Sequence, residues 1–599
     1  RILVLTNGCP NFGSGSVVSP IAPSPMNDDN QRNARYSSGV VAAPASPGRK
    51  GSPRRQRRSV GDIVVPAALA EASVYCELLG KDAFEAGIGI DVFCSGSTAL
   101  GMPALLALVR PSDGFALTHE TFASEEAAAN LRHVLGKTYI SKAGKSQRTD
   151  GTPNTSGDTT KLNKLDGCLL DIRCPPFLSP TNVVGPGVVE YDDERSVLAN
   201  EQGSYAHGAQ RAAANGLPTN NLPSKDTISM TLTRLRLGRF DRLATHTLMM
   251  QVNDDIRQDD QHATFQFVAR FVTSDGNYLV TRVFTHRLPV ADMHQFLAGQ
   301  RSEVVAICLG REAVFRATAG RGSTGEEEVT VVDRDRDEEL SNDARKDIDA
   351  TIHLASAAFR LLGSRSGGSS TNERSLAASS LDFAFPPELV DALRGLYALR
   401  RGPLLGTGPQ LSSDDRCVSR SLFMHLPMSD CLPMISPLVW CCRTDANSPR
   451  CFTLESAPAV TLACWDECIL AVDQSDNLFV WSGSKMLGTA YDSMREACRD
   501  HLLRISSGRF PKPHLHMLKE GDSMSRRLTA RLAPAHGDPP EHQCAYFPAL
   551  SHLNAEQLTA LRAKFSFYDP NADPSFRYWF WQIASASSTA SKEGYSLCE

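Results

Sequence analysis

The sequence predicts a multidomain α+β protein, and three observations support this class. The chain has 599 residues, and at roughly 100–200 residues per domain this length corresponds to about three to five domains. Its hydrophobic pattern changes along the chain, from strand–helix–strand alternation to a period of two and then to helical spacings. Hydrophobic residues make up 41% and charged residues 22% of the chain, which is ordinary for globular domains with packed cores.

Charge and cysteine content argue against two classes of function. The net charge of −5 is close to neutral for this length, so no whole-chain attraction to nucleic acid is expected. The 16 cysteines are scattered, without any C-x-x-C pair, and this spacing predicts buried free thiols rather than a zinc site. No apolar run reaches the roughly 18 residues that a membrane-spanning helix requires.

Residues 1–166 are predicted to form a partial α/β domain. The chain opens with "RILVLT", a short apolar run typical of a central parallel strand, and "GIGIDVFCSG" (87–96) predicts a second buried strand after a helix. Because a domain rarely begins with its central strand, we expect the chain to be truncated at its N-terminus. Two polar insertions, at 23–60 and 143–165, are expected to be disordered.

The first insertion contains a strongly basic stretch, "SPGRKGSPRRQRRS" (46–59). One interpretation is a solvated surface segment, which is the usual role of a charge run. The other is an electrostatic contact with an acidic membrane surface. Both interpretations stay open at this point, and no residue pattern supports reading the stretch as a nuclear-import signal.

Residues 167–290 are predicted to form a β-sandwich, because the hydrophobic period changes to two. In "TFQFVARFV" (264–272) the alternate residues Phe265, Phe267 and Phe271 fall on one face of a strand. The following "SDGN" supplies a turn, and "YLVTRVF" returns with the same alternation. This segment therefore predicts a β-hairpin.

The remaining chain is divided by pattern into three parts. Residues 291–425 are predicted to be helical, residues 426–552 to form a mixed α/β unit, and residues 553–599 to form a C-terminal helical segment. The helical prediction rests on apolar residues spaced by three and four, at Ile348, Ile352, Ala355, Phe359 and Leu362. In the last part, Asn554 is placed to cap the helix "NAEQLTALRAKF".

Several segments of the sequence resemble segments of the inner coat subunits of COPII vesicles. They are "LDIRCPPFLSPTNVVGP" (170–186), "FQFVARFVTSDGNYLVTRVFTHR" (265–287), "LRRGPLLG" (399–406), "MISPLVW" (434–440) and "RFPKP" (509–513). Within that family the chain is most similar to the GTPase-activating subunit. The resemblance implies an order of partial von Willebrand A-like α/β trunk, β-sandwich, helical domain, gelsolin-like α/β domain and C-terminal helix.

The segment "EGDSMSRRLTARLAP" (520–534) carries the functional part of the resemblance. The family motif Gly-Gly-Ser-Gln-Ala-Arg matches here at Gly521, Ser523 and Arg526. The match implies that Arg526 is the catalytic arginine, and a shift by one residue would assign this role to Arg527. Lysine would not substitute well for either, because the planar guanidinium forms two parallel hydrogen bonds to a phosphoryl group.

Other residues of this segment are expected to contact the partner or to modulate the arginine. The resemblance implies partner contacts for Arg509, Phe510, Gly521 and Ser523. Asp522 stands where the family has glycine, and its carboxylate is close enough in sequence to pair with Arg526. Arg531 is expected to be a solvent-facing strand residue, since it alternates with Leu528, Ala530 and Leu532.

The resemblance implies a GTPase activator rather than an enzyme with its own substrate site. The partners implied are the small coat GTPase in its GTP form, a cargo-binding sister subunit in a heterodimer, the outer coat cage subunits and the acidic ER membrane, but no nucleic acid. The implied location is cytoplasmic, on the ER membrane and COPII-coated vesicles. No cofactor is expected in this chain, and one structural zinc is expected in the missing N-terminal part. The alternative is a coat scaffold or cargo adaptor without GTPase-activating activity.

Overall fold

The structure is a computed structural model, and most of the predicted insertions lie outside the residues it describes. The first insertion (23–60), with its basic stretch, is entirely outside. The second (143–165) is outside except at its two ends, where Ala143 closes a helix and Lys164 opens a strand. The described residues are 2–6, 66–96, 100–143, 164–175, 177–190, 231–241, 244–252, 262–272, 279–319, 334–365, 385–406, 412–445, 448–566 and 573–590.

The N-terminal part is a parallel three-stranded sheet with helices packed beside it. The strands are β1 (Ile2–Thr6), β2 (Ile90–Ser95) and β3 (Ala116–His119), in the order β1-β2-β3. The helices are α1 (Pro66–Glu85), α2 (Met102–Val109) and α3 (Glu125–Ala143). Every residue of β2 is buried, as expected for a central strand of a parallel sheet that is covered on both faces.

Two antiparallel sheets follow. A five-stranded sheet has the order β10-β9-β4-β7-β6, and β5 pairs with β8 in a second sheet. The predicted hairpin is confirmed, because Phe267 of β9 pairs with Phe284 of β10 in antiparallel register. Phe271 lies in the apolar core of this region with Ile172 and Leu235. The strands are β4 (Lys164–Cys174), β5 (Leu178–Val184), β6 (Val188–Glu190), β7 (Thr231–Asp241), β8 (Thr247–Val252), β9 (His262–Val272) and β10 (Leu279–Pro289).

A helical region comes next and shares its apolar core with the parallel sheet. Phe93 of β2 belongs to the same buried cluster as Val314, Ile348 and Leu396. Ile348 and Ile352, four residues apart, face this core as their spacing predicts. The helices are α4 (Met293–Ala298), α5 (Ser302–Ala319), α6 (Arg334–Arg365), α7 (Val390–Arg401), α8 (Ser413–His425) and α9 (Met428–Ile435).

The last region is a five-stranded sheet with an apolar cluster on each face. Its order is β12-β11-β13-β14-β15, and only the β14–β15 pair is parallel. Alternation along β13 places Leu470 in one cluster and Ile469 in the other. The strands are β11 (Leu438–Asp445), β12 (Ser448–Ala457), β13 (Ile469–Asp473), β14 (Asn477–Ser482) and β15 (His514–Lys519), and the helices are α10 (Asp492–Ile505), α11 (Ser525–Thr529), α12 (Pro540–Tyr546), α13 (Ala555–Lys564) and α14 (Phe576–Ala590).

The mixed α/β, multidomain character predicted from the sequence is confirmed, whereas the exact division into five domains stays a prediction. The cap at Asn554 is confirmed, since its side chain accepts a hydrogen bond from the Gln557 backbone N–H and Gln557 reciprocates. In the part of the chain that the structure describes, the helices lack the combination of length and hydropathy needed to cross a bilayer.

Candidate functional site

A tight turn between β15 and α11 presents the segment that carries Arg526 and Arg527. Gly521 has a φ of +90°, which glycine adopts without steric cost. The Asp522 carboxylate accepts a hydrogen bond from the Lys519 backbone N–H at 2.8 Å. The Ser525 hydroxyl donates to the Lys519 carbonyl at 2.9 Å. The turn is therefore closed by side chains at both ends.

The short helix α11 has one buried and one exposed side. Ser525 and Leu528, three residues apart, are buried, and Leu528 belongs to the cluster beneath the sheet. Arg526 and Arg527 both lie on the exposed side. The helix is thus fixed from below by an apolar side chain, while two guanidinium groups face solvent.

The two arginines differ in their surroundings. Neither side chain makes a hydrogen bond or ion pair with any residue that the structure describes. Arg527 lies on the side of His516, where burial lowers the pKa of the imidazole to about 4 and the nearby positive charges of His514 and Arg527 add to this effect. Asp522 forms no ion pair with Arg526 among the described residues, and its carboxylate accepts a hydrogen bond from the Lys519 N–H instead.

Arg509 and Phe510, which the resemblance assigned to partner contacts, are internal. The Arg509 guanidinium is 8% exposed and binds both carboxylate oxygens of Asp473 at 2.8 Å. Phe510 is 2% exposed and stacks on His133 with ring centroids 4.5 Å apart. We therefore assign both side chains to positioning the segment, while Gly521 and Ser523 lie exposed beside Arg526.

The strand before the turn is joined to the N-terminal layer through α3. The Lys512 backbone N–H donates to the Asn130 side-chain oxygen at 2.7 Å. His514 contacts the Glu126 carboxylate at 3.0 Å. The strand that leads into the turn is thus held by a region of the chain that is remote in sequence.

The prediction for Arg531 is wrong. Residues 525–529 form a helix rather than a strand, so strand alternation does not apply. The Arg531 side chain is part-buried, and its guanidinium donates to the Met434 carbonyl at 2.8 Å. Of the three arginines in this segment, only Arg526 and Arg527 are exposed.

The described part of the chain shows no candidate metal site beside the arginines. Among the described residues, no group of three or more His, Cys, Asp and Glu side chains is arranged to hold a metal ion. The described cysteines are free thiols, and most of them are buried. The zinc expected outside this chain stays a prediction.

Comparisons with known proteins identify relatives at the level of sequence and of fold. The protein transport protein SEC23 A of Arabidopsis thaliana is 26% identical over 511 residues, which are 84% of this chain and 46% of that protein. The human COPII-coat protein Sec24c has a similar crystal structure, with a TM-score of 0.53 and 11% identity, covering 94% of this chain and 61% of that chain. No family model matches the chain.

The chain is thus similar in sequence to a Sec23 protein and similar in fold to a Sec24 protein. It spans about half the length of the curated relative that it matches. The two similarities point to different branches, because the sequence match is to a Sec23 protein and the fold match is to a Sec24 protein. The two comparisons therefore do not decide between the Sec23 and the Sec24 branch.

Neither the sequence pattern nor these similarities single out the residues that hold the turn in place. Glu520 forms an ion pair with Lys564 of α13, and its other oxygen accepts a hydrogen bond from the Ser484 backbone N–H at 2.8 Å. Glu520, Lys564 and Ser484 are distant in sequence and follow no local pattern. Only the packing of α13 against the sheet brings them together.

Proposed function

We propose that this protein is a COPII inner-coat subunit that stimulates GTP hydrolysis by the small coat GTPase, with Arg526 as an arginine finger in trans. The observation that supports it is the presentation of Arg526. Its side chain is exposed and without a partner among the described residues, on a helix fixed by Ser525 and Leu528.

The chemistry requires only this group from the activator. As the γ-phosphoryl group transfers, negative charge develops on its oxygens. A guanidinium beside these oxygens stabilises the charge and raises the rate of hydrolysis by about 10³–10⁵-fold. The nucleotide, Mg²⁺ and attacking water belong to the GTPase. A chain with this role therefore needs no nucleotide site of its own.

The local structure favours Arg526 over Arg527 for this role. The positive charge of Arg527 acts on the nearby imidazole of His516, whereas no such effect of Arg526 is found among the described residues. Asp522, whose carboxylate accepts a hydrogen bond from the Lys519 N–H, forms no ion pair with Arg526 among the described residues. The closed turn also reduces the conformational entropy that the loop loses on binding.

The test is GTP turnover by the small coat GTPase with the full chain and with Arg526→Ala. We expect the substitution to lower stimulated turnover by about 10³–10⁵-fold while co-purification with the GTP-loaded GTPase is retained. Arg526→Lys is expected to recover little, because an ammonium cannot form two parallel hydrogen bonds. Arg499→Ala is the matched control, since Arg499 is an exposed arginine of α10 paired only with neighbouring Asp500 among the described residues.

Two outcomes would change the assignment. If Arg526→Ala stimulates as well as the intact chain, Arg526 is not the catalytic arginine. If only Arg527→Ala loses stimulation, the role shifts by one residue. Both outcomes are measured in the same assay with the same GTPase preparation.

A second candidate function is a coat scaffold or cargo adaptor, and the fold similarity to Sec24c over 94% of this chain favours it. In that case the chain joins the inner coat without accelerating hydrolysis. The discriminating result is an intact chain that assembles with coat subunits but leaves the rate of GTP hydrolysis unchanged. Loss of stimulation in Arg526→Ala would exclude it.

The remaining parts of the proposal follow from a role in the coat. The partners proposed are the GTP-bound coat GTPase, a cargo-binding sister subunit and the outer cage subunits. The proposed location is the cytoplasmic face of the ER and the coated vesicle. Binding to vesicles of acidic and of neutral lipid composition, compared for the full chain, tests the membrane contact.

A further inference from the structure

Arg531 connects the arginine segment to the helical region. Its guanidinium donates hydrogen bonds to the carbonyls of Met434 at 2.8 Å and Pro433 at 3.4 Å. A third bond reaches the Gln474 carbonyl at 3.5 Å. The partners lie on two different elements, so a single side chain joins three parts of the chain.

The two carbonyls on the helical side are at a helix end. Pro433 and Met434 lie in the last turn of α9, which ends at Ile435. The final carbonyls of a helix have no partner within the helix and carry its negative dipole end. A guanidinium is therefore a favourable partner for them, and Arg531 is held there by charge as well as by hydrogen bonds.

The third bond reaches the turn between β13 and β14, which also binds α11. The Gln474 side-chain amide donates to the Leu528 carbonyl in α11 at 3.4 Å. Arg509 fixes the same turn through the Asp473 carboxylate and the Ser475 carbonyl. The end of α11 is thus tied to the sheet and to α9 at once.

The charge of Arg531 is sustained without an ion pair to any residue that the structure describes. Burial lowers the pKa of this guanidinium, and the nearby carboxylates of Asp476 and Asp473 oppose the shift. Because an arginine titrates far above neutral pH, it remains charged. The buried positive charge of Arg531 is stabilised by hydrogen bonds to backbone carbonyls rather than by direct contact with a carboxylate.

We infer that Arg531 is a positioning residue for Arg526: it anchors the C-terminal end of α11 to α9 and to the turn after β13, so that the Arg526 guanidinium is presented at a defined place. The inference rests on the proposed function. Arg531 does not touch the reacting groups, and it acts through the geometry of the five-residue helix.

The first test compares Arg531→Met and Arg531→Lys in stimulated GTP turnover by the small coat GTPase. Arg531→Met keeps the apolar length but loses all three hydrogen bonds. We expect turnover at saturating protein to fall by about 10²-fold, the cost of a misplacement near 1 Å, while the half-saturating concentration stays close to that of the intact chain. Arg531→Lys is expected to be intermediate, because one ammonium reaches only part of the carbonyl set. Arg499→Met is the matched control.

The second test is a double-mutant cycle with Arg526→Ala. If Arg531 acts through Arg526, adding Arg531→Met to Arg526→Ala slows turnover no further. A full additional loss in the double variant would show an independent role and overturn the inference. Normal turnover in Arg531→Met, with Arg526→Ala impaired, would also overturn it.

The cycle distinguishes failure of the inference from failure of the proposed function. If Arg526→Ala is as active as the intact chain, the proposed arginine finger fails, and the positioning role with it. Thermal unfolding of each variant checks that the fold is retained. If Arg531→Met does not fold, the same double-mutant cycle is measured with Arg531→Lys. A further loss of turnover when Arg531→Lys is added to Arg526→Ala would then overturn the inference.

Discussion

At residue 521 the chain makes the sharp turn from which the exposed arginines project. The φ of +90° at Gly521 is strained for any residue with a Cβ. A Cβ built there would meet no atom within 4 Å. The need for glycine is therefore a matter of backbone conformation and not of space.

Gly521→Ala is expected to lower the free energy of unfolding by about 1–2 kcal/mol, the cost of a left-handed conformation for an L-residue. Gly537→Ala is the control, since Gly537 also has open space around it but no positive φ. Chemical denaturation of both variants measures the difference. Equal stabilities of the two variants would show that the turn relaxes without strain.

Asp522 shows what a sequence reveals about a single residue and what it does not. Its spacing from Arg526 suggested an ion pair, because the sequence displays side chains only. The actual partner is the backbone N–H of Lys519, in the kind of local side-chain-to-backbone bond that aspartate favours in turns. Backbone groups are present at every position, so the pattern of residue types does not single out one of them.

At the scale of an element, the residues that fix the end of a helix can be predicted from the sequence only when their hydrogen-bond partners are close in the chain. The cap of α13 was predicted because Asn554 directly precedes the helical run, and its partner Gln557 is only three residues away. The anchor of α11 was missed because Arg531 binds carbonyls 57 and 97 residues away. The hairpin of β9 and β10 was also found, since alternation within one short segment specifies it.

Asn554→Ala is expected to destabilise the protein by about 1 kcal/mol, because it removes one cap from α13. Asn554→Ser is the control that retains a capping oxygen, and it should remain close to the intact chain. Thermal and chemical unfolding measure both. An Asn554→Ala variant as stable as Asn554→Ser would show that tertiary contacts of α13 make the cap redundant.

At the scale of the whole molecule, one apolar core joins parts that the sequence pattern divided. Phe93 of the N-terminal layer, Leu396 of the helical region and Phe580 of α14 belong to the same buried cluster. Periodicity identifies which residues turn inward, but it does not say which element they meet. The class of fold was therefore predictable from the sequence. The packing of these three regions around one shared apolar core was not.

His425 lies at this junction and makes the stability of the molecule depend on pH. Its Nδ1 lies 2.7 Å from the Ser421 carbonyl, and its Nε2 is buried without a hydrogen-bond partner in the described part of the chain. Burial lowers the pKa of His425 to about 4, and the positive charges of Arg311, His246 and Arg110 act in the same direction. The folded protein therefore holds this imidazole neutral.

The sign of the pH effect follows from the two pKa values of His425. The unfolded chain has the ordinary histidine pKa of about 6.5, so between roughly pH 6.5 and 4 it binds a proton that the folded state does not. Stability is fully present above this window and is lost as the pH falls through it, by up to about 1.4 kcal/mol per pH unit for one histidine. The free energy of unfolding, measured by denaturant titration from pH 7.5 to 4.5, should decrease accordingly. His425→Phe keeps a ring against Phe115 and should flatten the slope, and a slope equal to that of the intact chain would contradict this assignment.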